Sequence, residues 1–423
     1  MKKIITLTAI GTIMCASSAV ASGFNLKEQS VSAMGNAFAG ATAGAEDVSY
    51  SYFNAAGLTR QKGDKFSIGG TYIAPRSKAR HASGTDALGN DLGSGGKTKN
   101  IVHAAVAPQM YYSHQFNDKW YGGFSLNIPF GMVTKYDDDW VGRYHGTLSK
   151  VTTVTATPMV AYKANDKLSL GAGLPIQYTK ARLRNATLLK TAQGSIPDNK
   201  AALEGDAIDV GYQLSAMYEF SPKTRIGVSY RSEIRQKLAG DLDVYVPMMG
   251  VTQSQDITAK LNTPAMLGVG IYHELNDKWA VMAEYQRVFW SSFDRLNIKS
   301  ADGEDLSMTE ENWRDTNFYS VGASYKVNDQ WKLRAGIAYD QRAVGDRDRT
   351  PRIPDSDRVW YSGGVQYNQN DKLTWNLGYT YIRAEKAGVD LGKGSAYDAT
   401  RGSYKAEYSN DVHMLGLSMT YNF

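Results

Sequence analysis

Cysteine is almost missing from this 423-residue chain, and the one present, Cys15, sits in its first stretch. A disulfide scaffold is therefore excluded, and so is thiol chemistry in whatever follows that stretch. Long apolar runs are missing too: beyond residue 21 no segment reaches the roughly 18 apolar residues of a membrane-spanning helix. Charge is nearly balanced, with 47 Lys and Arg against 42 Asp and Glu, so a nucleic-acid partner is not expected. Catalytic signatures are absent. There is no HExxH or GxSxG motif, and the six His lie apart at 81, 103, 114, 145, 273 and 413. Gly95-Gly96-Lys97-Thr98 resembles the end of a phosphate-binding loop, but Asp91 stands where the first Gly is required. It reads as a flexible loop, and no enzyme activity, cofactor or metal is expected.

What is present points to lipid. His413, Leu415, Leu417, Met419, Tyr421 and Phe423 share one face of a strand. Met414, Gly416, Ser418, Thr420 and Asn422 share the other, and the chain stops on an aromatic. A transmembrane β-barrel ends this way because its last strand pairs with its first and leaves no open edge. The strand ending at Phe423 is also the expected contact with the barrel-assembly machinery. At the other end, Met1-Lys2-Lys3, a mostly apolar stretch over 4–20 and Ala19-Val20-Ala21 read as a signal peptide of residues 1–21. Its removal lowers the formal charge by two, from +5 to +3. Mean hydropathy is −0.40 despite 27 Tyr and 8 Trp, as expected when every second strand residue faces water.

A near-repeat punctuates the chain: Asn117-Asp118-Lys119-Trp120, Asn165-Asp166-Lys167-Leu168, Asn276-Asp277-Lys278-Trp279, Asn328-Asp329-Gln330-Trp331 and Asn370-Asp371-Lys372-Leu373. Ser221-Pro222-Lys223-Thr224 fills the remaining gap. These are turn formers. Six tight turns, 42 to 56 residues apart, with both barrel ends on the same side, give seven hairpins and fourteen strands. The fold class is all-β, a 14-stranded antiparallel transmembrane β-barrel over residues 63–423. A β-sandwich shares the period of two, but the uniformly apolar outward faces and the Trp at the turns favour the barrel. Connections 76–100, 136–150, 184–205, 240–256, 297–314, 340–357 and 383–411 read as extracellular loops. Residues 22–62 make a poor membrane strand. They either plug the lumen or form a periplasmic tail, and Phe24, Leu26, Met34, Phe38, Tyr50, Tyr52, Phe53 and Leu58 favour the plug.

Several blocks in order resemble one family. They are Ser22-Gly23-Phe24-Asn25-Leu26, Met34-Gly35-Asn36-Ala37-Phe38-Ala39-Gly40, Tyr230-Arg231-Ser232-Glu233-Ile234, Arg334-Ala335-Gly336-Ile337-Ala338-Tyr339-Asp340 and Ile353-Pro354-Asp355-Ser356-Asp357-Arg358. The mature chain is similar throughout to the outer-membrane long-chain fatty acid and hydrocarbon transporters of the FadL/TodX type. The resemblance implies an N-terminal hatch in the lumen, capture of ligand in an apolar groove between two loops, and an internal pocket. Release would be lateral, where one strand kinks inward, driven by hatch movement without ATP. On this chain the kinked strand falls at about 120–131, with Asn127, Ile128, Pro129, Phe130 and Gly131 at the opening. Pro129 lacks a ladder N–H, which agrees with a break, although it could instead end the strand.

The resemblance places the groove on 184–205 and 240–256, where Val244, Val246, Met248 and Met249 form either a binding surface or a loop core. The family's Asn-Pro-Ala hatch element reads Asn54, Ala55 and Ala56 here. Phe24 and Leu26 would line the pocket. The family's basic pocket positions fall on Asn185, beside Arg184, and near Asn297, two residues after Arg295. Each Arg is either a carboxylate partner or a solvated charge. The implied function is passive transport of long-chain fatty acids or similar hydrophobic molecules by a monomer in the outer membrane. Its rivals are uptake of aromatic hydrocarbons, a surface adhesin or phage receptor, and a hydrophilic porin.

Overall fold

A strand in lipid satisfies its backbone only through its neighbours, so the ring of strands must close. The computed structural model describes residues 23–95, 98–191, 194–392 and 398–423. The expected signal peptide, Cys15 and the Gly96-Lys97 pair lie outside the described residues. Closure is made by β1 (Lys65–Thr85), which pairs with β2 (Ala105–Gln115) on one side and β14 (Tyr404–Asn422) on the other. That seam runs from Lys65↔Asn422 to Gly84↔Tyr404. The barrel has fourteen antiparallel strands.

Seven strands between these are broken into two pieces along their length. They are β3 (Trp120–Asn127, Gly131–Lys135), β5 (Leu168–Gly173, Ile176–Thr191), β6 (Gly194–Val210, Gln213–Ser221) and β7 (Thr224–Arg231, Lys237–Val246). The others are β8 (Val251–Lys260, Met266–Glu274), β9 (Trp279–Val288, Arg295–Ser300) and β10 (Asp305–Glu310, Thr316–Lys326). β4 (Leu148–Lys163), β11 (Trp331–Asp340) and β12 (Arg358–Asn368) are unbroken, and β13 (Leu373–Ala384, Ala387–Leu391) is interrupted near its end.

The six short turns lie where expected, and one device builds five of them. The Asn117 side-chain oxygen accepts from the backbone N–H of Lys119 at 2.9 Å and of Trp120 at 3.0 Å. Asn165, Asn276, Asn328 and Asn370 repeat both bonds. Trp120, Trp279 and Trp331 each lie against a tyrosine of a neighbouring strand, Tyr162, Tyr325 and Tyr367, at 4.5–4.7 Å between ring centroids. Ile208, Val210, Tyr212, Leu214 and Tyr218 face outward, whereas Gln213 and Met217 are buried. The connections at 184–205 and 240–256 are not loops. The ladder continues to Thr191↔Gly194 and Val246↔Val251, and β6 also pairs with β7 from Asp206↔Ala239 to Lys200↔Tyr245. Residues 251–256 are exposed on both faces, so the strands run on as standing hairpins.

Residues 23–61 lie inside the ring and are almost wholly buried. The segment has a one-turn helix, α1 (Val31–Met34), and two 3-10 turns, Val48–Tyr52 and Ala55–Arg60. Its backbone lies directly on wall glycines. A Cβ on Gly227 would come within 2.0 Å of the Thr42 oxygen, and one on Gly336 within 2.1 Å of the Asn36 oxygen. Charges fasten its middle: Glu46 takes Arg334 at 2.5 Å and Lys332 at 3.6 Å, and Arg225 donates to the carbonyls of Ala43 and Gly44. Against the push of burial, Lys332 and Arg334 hold the Glu46 carboxyl down at about 2. Removing one member of a buried pair strands the other, at a cost of about 3–5 kcal/mol. Glu46→Ala is expected to leave a folded, heat-modifiable barrel whose inner segment becomes cleavable by trypsin at Arg60.

Candidate functional site

The wall changes character at β3. Pairing with β2 runs from Gln115↔Tyr121 to Met110↔Leu126 and then stops. On the other side, pairing with β4 passes from Asn127↔Thr155 to Gly131↔Thr152. Three residues, Ile128, Pro129 and Phe130, thus oppose two, a bulge that turns the chain out of the ladder. The freed backbone groups need partners, and the N-terminal segment supplies them. Leu26 N–H donates to the Pro129 carbonyl at 2.8 Å, and Gly131 N–H donates to the Phe24 carbonyl at 2.9 Å. Asn25 and Phe130 face each other as an antiparallel bridge. The Gln29 amide adds a bond to the Ile128 carbonyl at 2.8 Å. Residues 24–26 therefore act as a substitute strand for β2.

Gly23 is held by the connection ahead of β12. Asp355 accepts from the N–H of Gly23 at 3.3 Å and of Ala343 at 2.7 Å, while its other oxygen takes Arg358 at 3.0 Å. Arg358 also bonds Asp340 at 3.0 Å. The Ile353-Pro354-Asp355-Ser356-Asp357-Arg358 block is thereby explained as the anchor of the N-terminal strap. Gly23 has φ +62°, and a Cβ there would lie 2.4 Å from Trp313 and 2.8 Å from Trp290.

Phe24 follows, and it is the centre of an aromatic box. Its ring lies 4.8 Å from Trp290, 5.8 Å from Trp313, 5.9 Å from Phe130 and 6.0 Å from Phe293. It forms one wall of an apolar cavity lined also by Met132, Val151, Leu238, Leu261 and Ile298. The free volume is about 80 Å³, well below the roughly 300–1,000 Å³ of small-molecule sites. A long apolar ligand can be held there only if part of the lining, Phe24 foremost, moves aside. Among the described lining residues Arg352 is the one cation. It donates to the Leu148 carbonyl at 3.0 Å, Ser149 Oγ at 2.8 Å and Asn185 Oδ1 at 3.1 Å.

The residues singled out in the sequence are dispersed. Phe24 lines the apolar cavity, and Leu26 lines a second, polar cavity behind it. Asn127 donates to Tyr111 Oη at 2.7 Å beside the bulge. Asn54 caps the second 3-10 turn by accepting from Ala56 N–H at 2.9 Å, and it donates to the carbonyls of Thr42 and Ala216. Ala55 and Ala56 are fully buried in that turn.

The arginine expectations are placed elsewhere. Arg184 opens onto a polar external cleft with Asp138, Arg143, Asp198 and Lys200, and Asn185 reaches the apolar cavity only by holding Arg352. Arg295 pairs with Asp294 and Asn297 with Asp305, on the solvent side, whereas their neighbours Leu296 and Ile298 line the cavity. A strand's period of two makes this a one-residue difference in face. Val244, Val246, Met248 and Met249 do not make one groove. Val246 is buried, Val244 is half-buried, and Met248 and Met249 stand exposed at a hairpin tip. Trp290, Phe293, Trp313 and Arg352 escaped sequence reading, though the run Phe289-Trp290-Ser291-Ser292-Phe293 breaks strand alternation and was a signal of this box. Phe24→Ala removes about 3–5 kcal/mol of packing. Amide exchange at Leu26 and Gly131 is expected to accelerate by about two orders of magnitude or more, read by mass spectrometry of the flanking peptides.

Residues 12–423 match the family profile described as "Outer membrane protein transport protein (OMPP1/FadL/TodX)". The chain is 30% identical to outer membrane protein P1 of Haemophilus influenzae, over 99% of both chains. It is 27% identical to the long-chain fatty acid transport protein of Escherichia coli K12, over 98% of this chain and 97% of that one. A crystal structure of a Pseudomonas aeruginosa FadL homologue superposes with TM-score 0.87 at 25% identity, covering 95% of this chain and 100% of that one. The Pseudomonas putida toluene transporter TodX shares the fold, with TM-score 0.64 at 19% identity, over 88% of this chain and 92% of that one. Outer-membrane location and transport rather than catalysis follow from these relationships. The chain belongs to the OMPP1/FadL/TodX family of outer-membrane transport channels for hydrophobic molecules.

Proposed function

We propose that this chain is a monomeric, passive channel for long-chain fatty acids, with residues 22–62 as its hatch. An apolar ligand enters from outside, displaces Phe24 and fills the enlarged cavity. It leaves sideways into the bilayer through the gap between β2 and β3. Lateral exit spares the ligand the polar layers on either side of the membrane. Burial of apolar surface, at about 25 cal/mol per Å², is sufficient to drive capture. The observation that carries this reading is the strap over residues 23–26. The same four residues close the cavity with Phe24 and complete the wall at Pro129 and Gly131, so one displacement opens both.

Uptake of aromatic hydrocarbons is the second reading. It is favoured by Arg352, the cavity's cation, being held by protein groups. Neither Arg184 nor Arg295 lines that cavity.

The strap can be locked. Asn25 and Phe130 form a non-hydrogen-bonded antiparallel pair, flanked by the two bonds above. Such pairs have Cα atoms roughly 4.5 Å apart, within disulfide reach. The double variant Asn25→Cys, Phe130→Cys, in cells lacking their own transporter, is expected to take up labelled oleate when reduced and to stop when oxidised. Equal uptake in both states would exclude strap displacement as the route.

A further inference from the structure

Behind the strap lies a second cavity, with a free volume of about 50 Å³. Its character is opposite to the first. Asn25, Lys27, Gln213, Ser229, Arg231 and Gln286 contribute its polar lining, and no carboxylate lines it. Lys27 and Arg231 are 4% and 7% exposed. Lys27 Nζ donates to the neutral Gln286 Oε1 at 3.0 Å and lies 4.3 Å from the Phe318 ring centre. Arg231 donates to the Tyr52 carbonyl at 3.0 Å and sits 4.2 Å from the Tyr52 ring centre. Among the described residues neither cation has a carboxylate oxygen within salt-bridge distance. Two buried charges without counter-ions are costly. Burial pulls the Lys27 ammonium below its ordinary range, with Asp340, Glu28 and Glu284 opposing only from a distance and Arg358 adding to the fall.

The two cavities share the strap as their partition. Phe24 faces the apolar one; Asn25, Leu26 and Lys27 face the cationic one. Displacing residues 23–26 would join them into one amphipathic site, apolar along most of its length and doubly cationic at one end. We propose that Lys27 and Arg231 form a carboxylate site that receives the head group of an anionic, long-chain ligand once the strap moves. This rests on the fatty-acid reading above and assigns its head-group specificity to residues away from Arg352.

Equilibrium binding of labelled oleate and labelled oleyl alcohol to the purified full chain tests it. The variants are Lys27→Met, Arg231→Met, the double variant, and Lys27→Arg, which keeps the charge. The double variant should bind oleate at least about tenfold more weakly and oleyl alcohol within about twofold of wild type. Lys27→Arg should retain oleate. Unchanged oleate binding in the double variant would overturn the site, as would an equal loss of both ligands, which would mark a structural role. If the wild-type protein binds neither ligand, or the alcohol alone, the fatty-acid reading itself fails and the site with it.

Discussion

Every backbone group at membrane depth must find a partner inside the protein, and the rest of this structure depends on that constraint. Closure of β1 on β14 meets it around the ring. Thr153 of the neighbouring strand still bonds the Phe130 N–H and carbonyl, but at the carbonyls of Ile128 and Pro129 the wall fails to meet it, because the bulge turns the chain out of the ladder. The N-terminal strap then completes the wall. A short segment bonded at its edge, without a ladder of its own, is a replaceable wall element. Its removal exposes few groups, and those few face a protein-lined opening.

The inner segment is held unevenly. Around residues 42–46, ion pairs and guanidinium–carbonyl bonds fasten it, and wall glycines let backbone meet backbone. Around residues 23–26 the restraint is four aromatic contacts and a handful of hydrogen bonds. Ionic anchoring in a dry lumen is costly to break one partner at a time, whereas aromatic packing can be exchanged for packing against another apolar molecule. The chemistry of the restraint therefore matches the chemistry of the ligand that would displace it.

A free volume of about 80 Å³ also bears on function. A resting cavity of that size is too small for a long-chain ligand. On the proposed reading, capacity would appear when an apolar molecule replaces Phe24. Selectivity for apolar ligands would, on that reading, arise from the cost of opening the aromatic box, and the cationic space behind the strap would add a preference for one kind of head group.

Much of the architecture could be read from residue order. Strand number followed from Asn-Asp turns because an Asn side chain caps its own turn locally, whatever surrounds it. Outward faces followed from the period of two, and Pro129 marked the bulge because a missing N–H is a property of the residue itself. Side-chain destinations across the lumen were not legible. Arg184 and Arg295 sit beside cavity-lining positions but on the other side of the sheet, a matter of one residue of register. Trp290, Trp313 and Arg352 reach Phe24's surroundings from strands and connections far away in sequence. The sequence by itself determined the barrel, its turns and its break, since those depend on neighbours along the chain. Only the tertiary structure decided that residues 23–26 would be the missing strand and that Lys27 and Arg231 would line one cavity, because closing a ring brings together groups that no local pattern records.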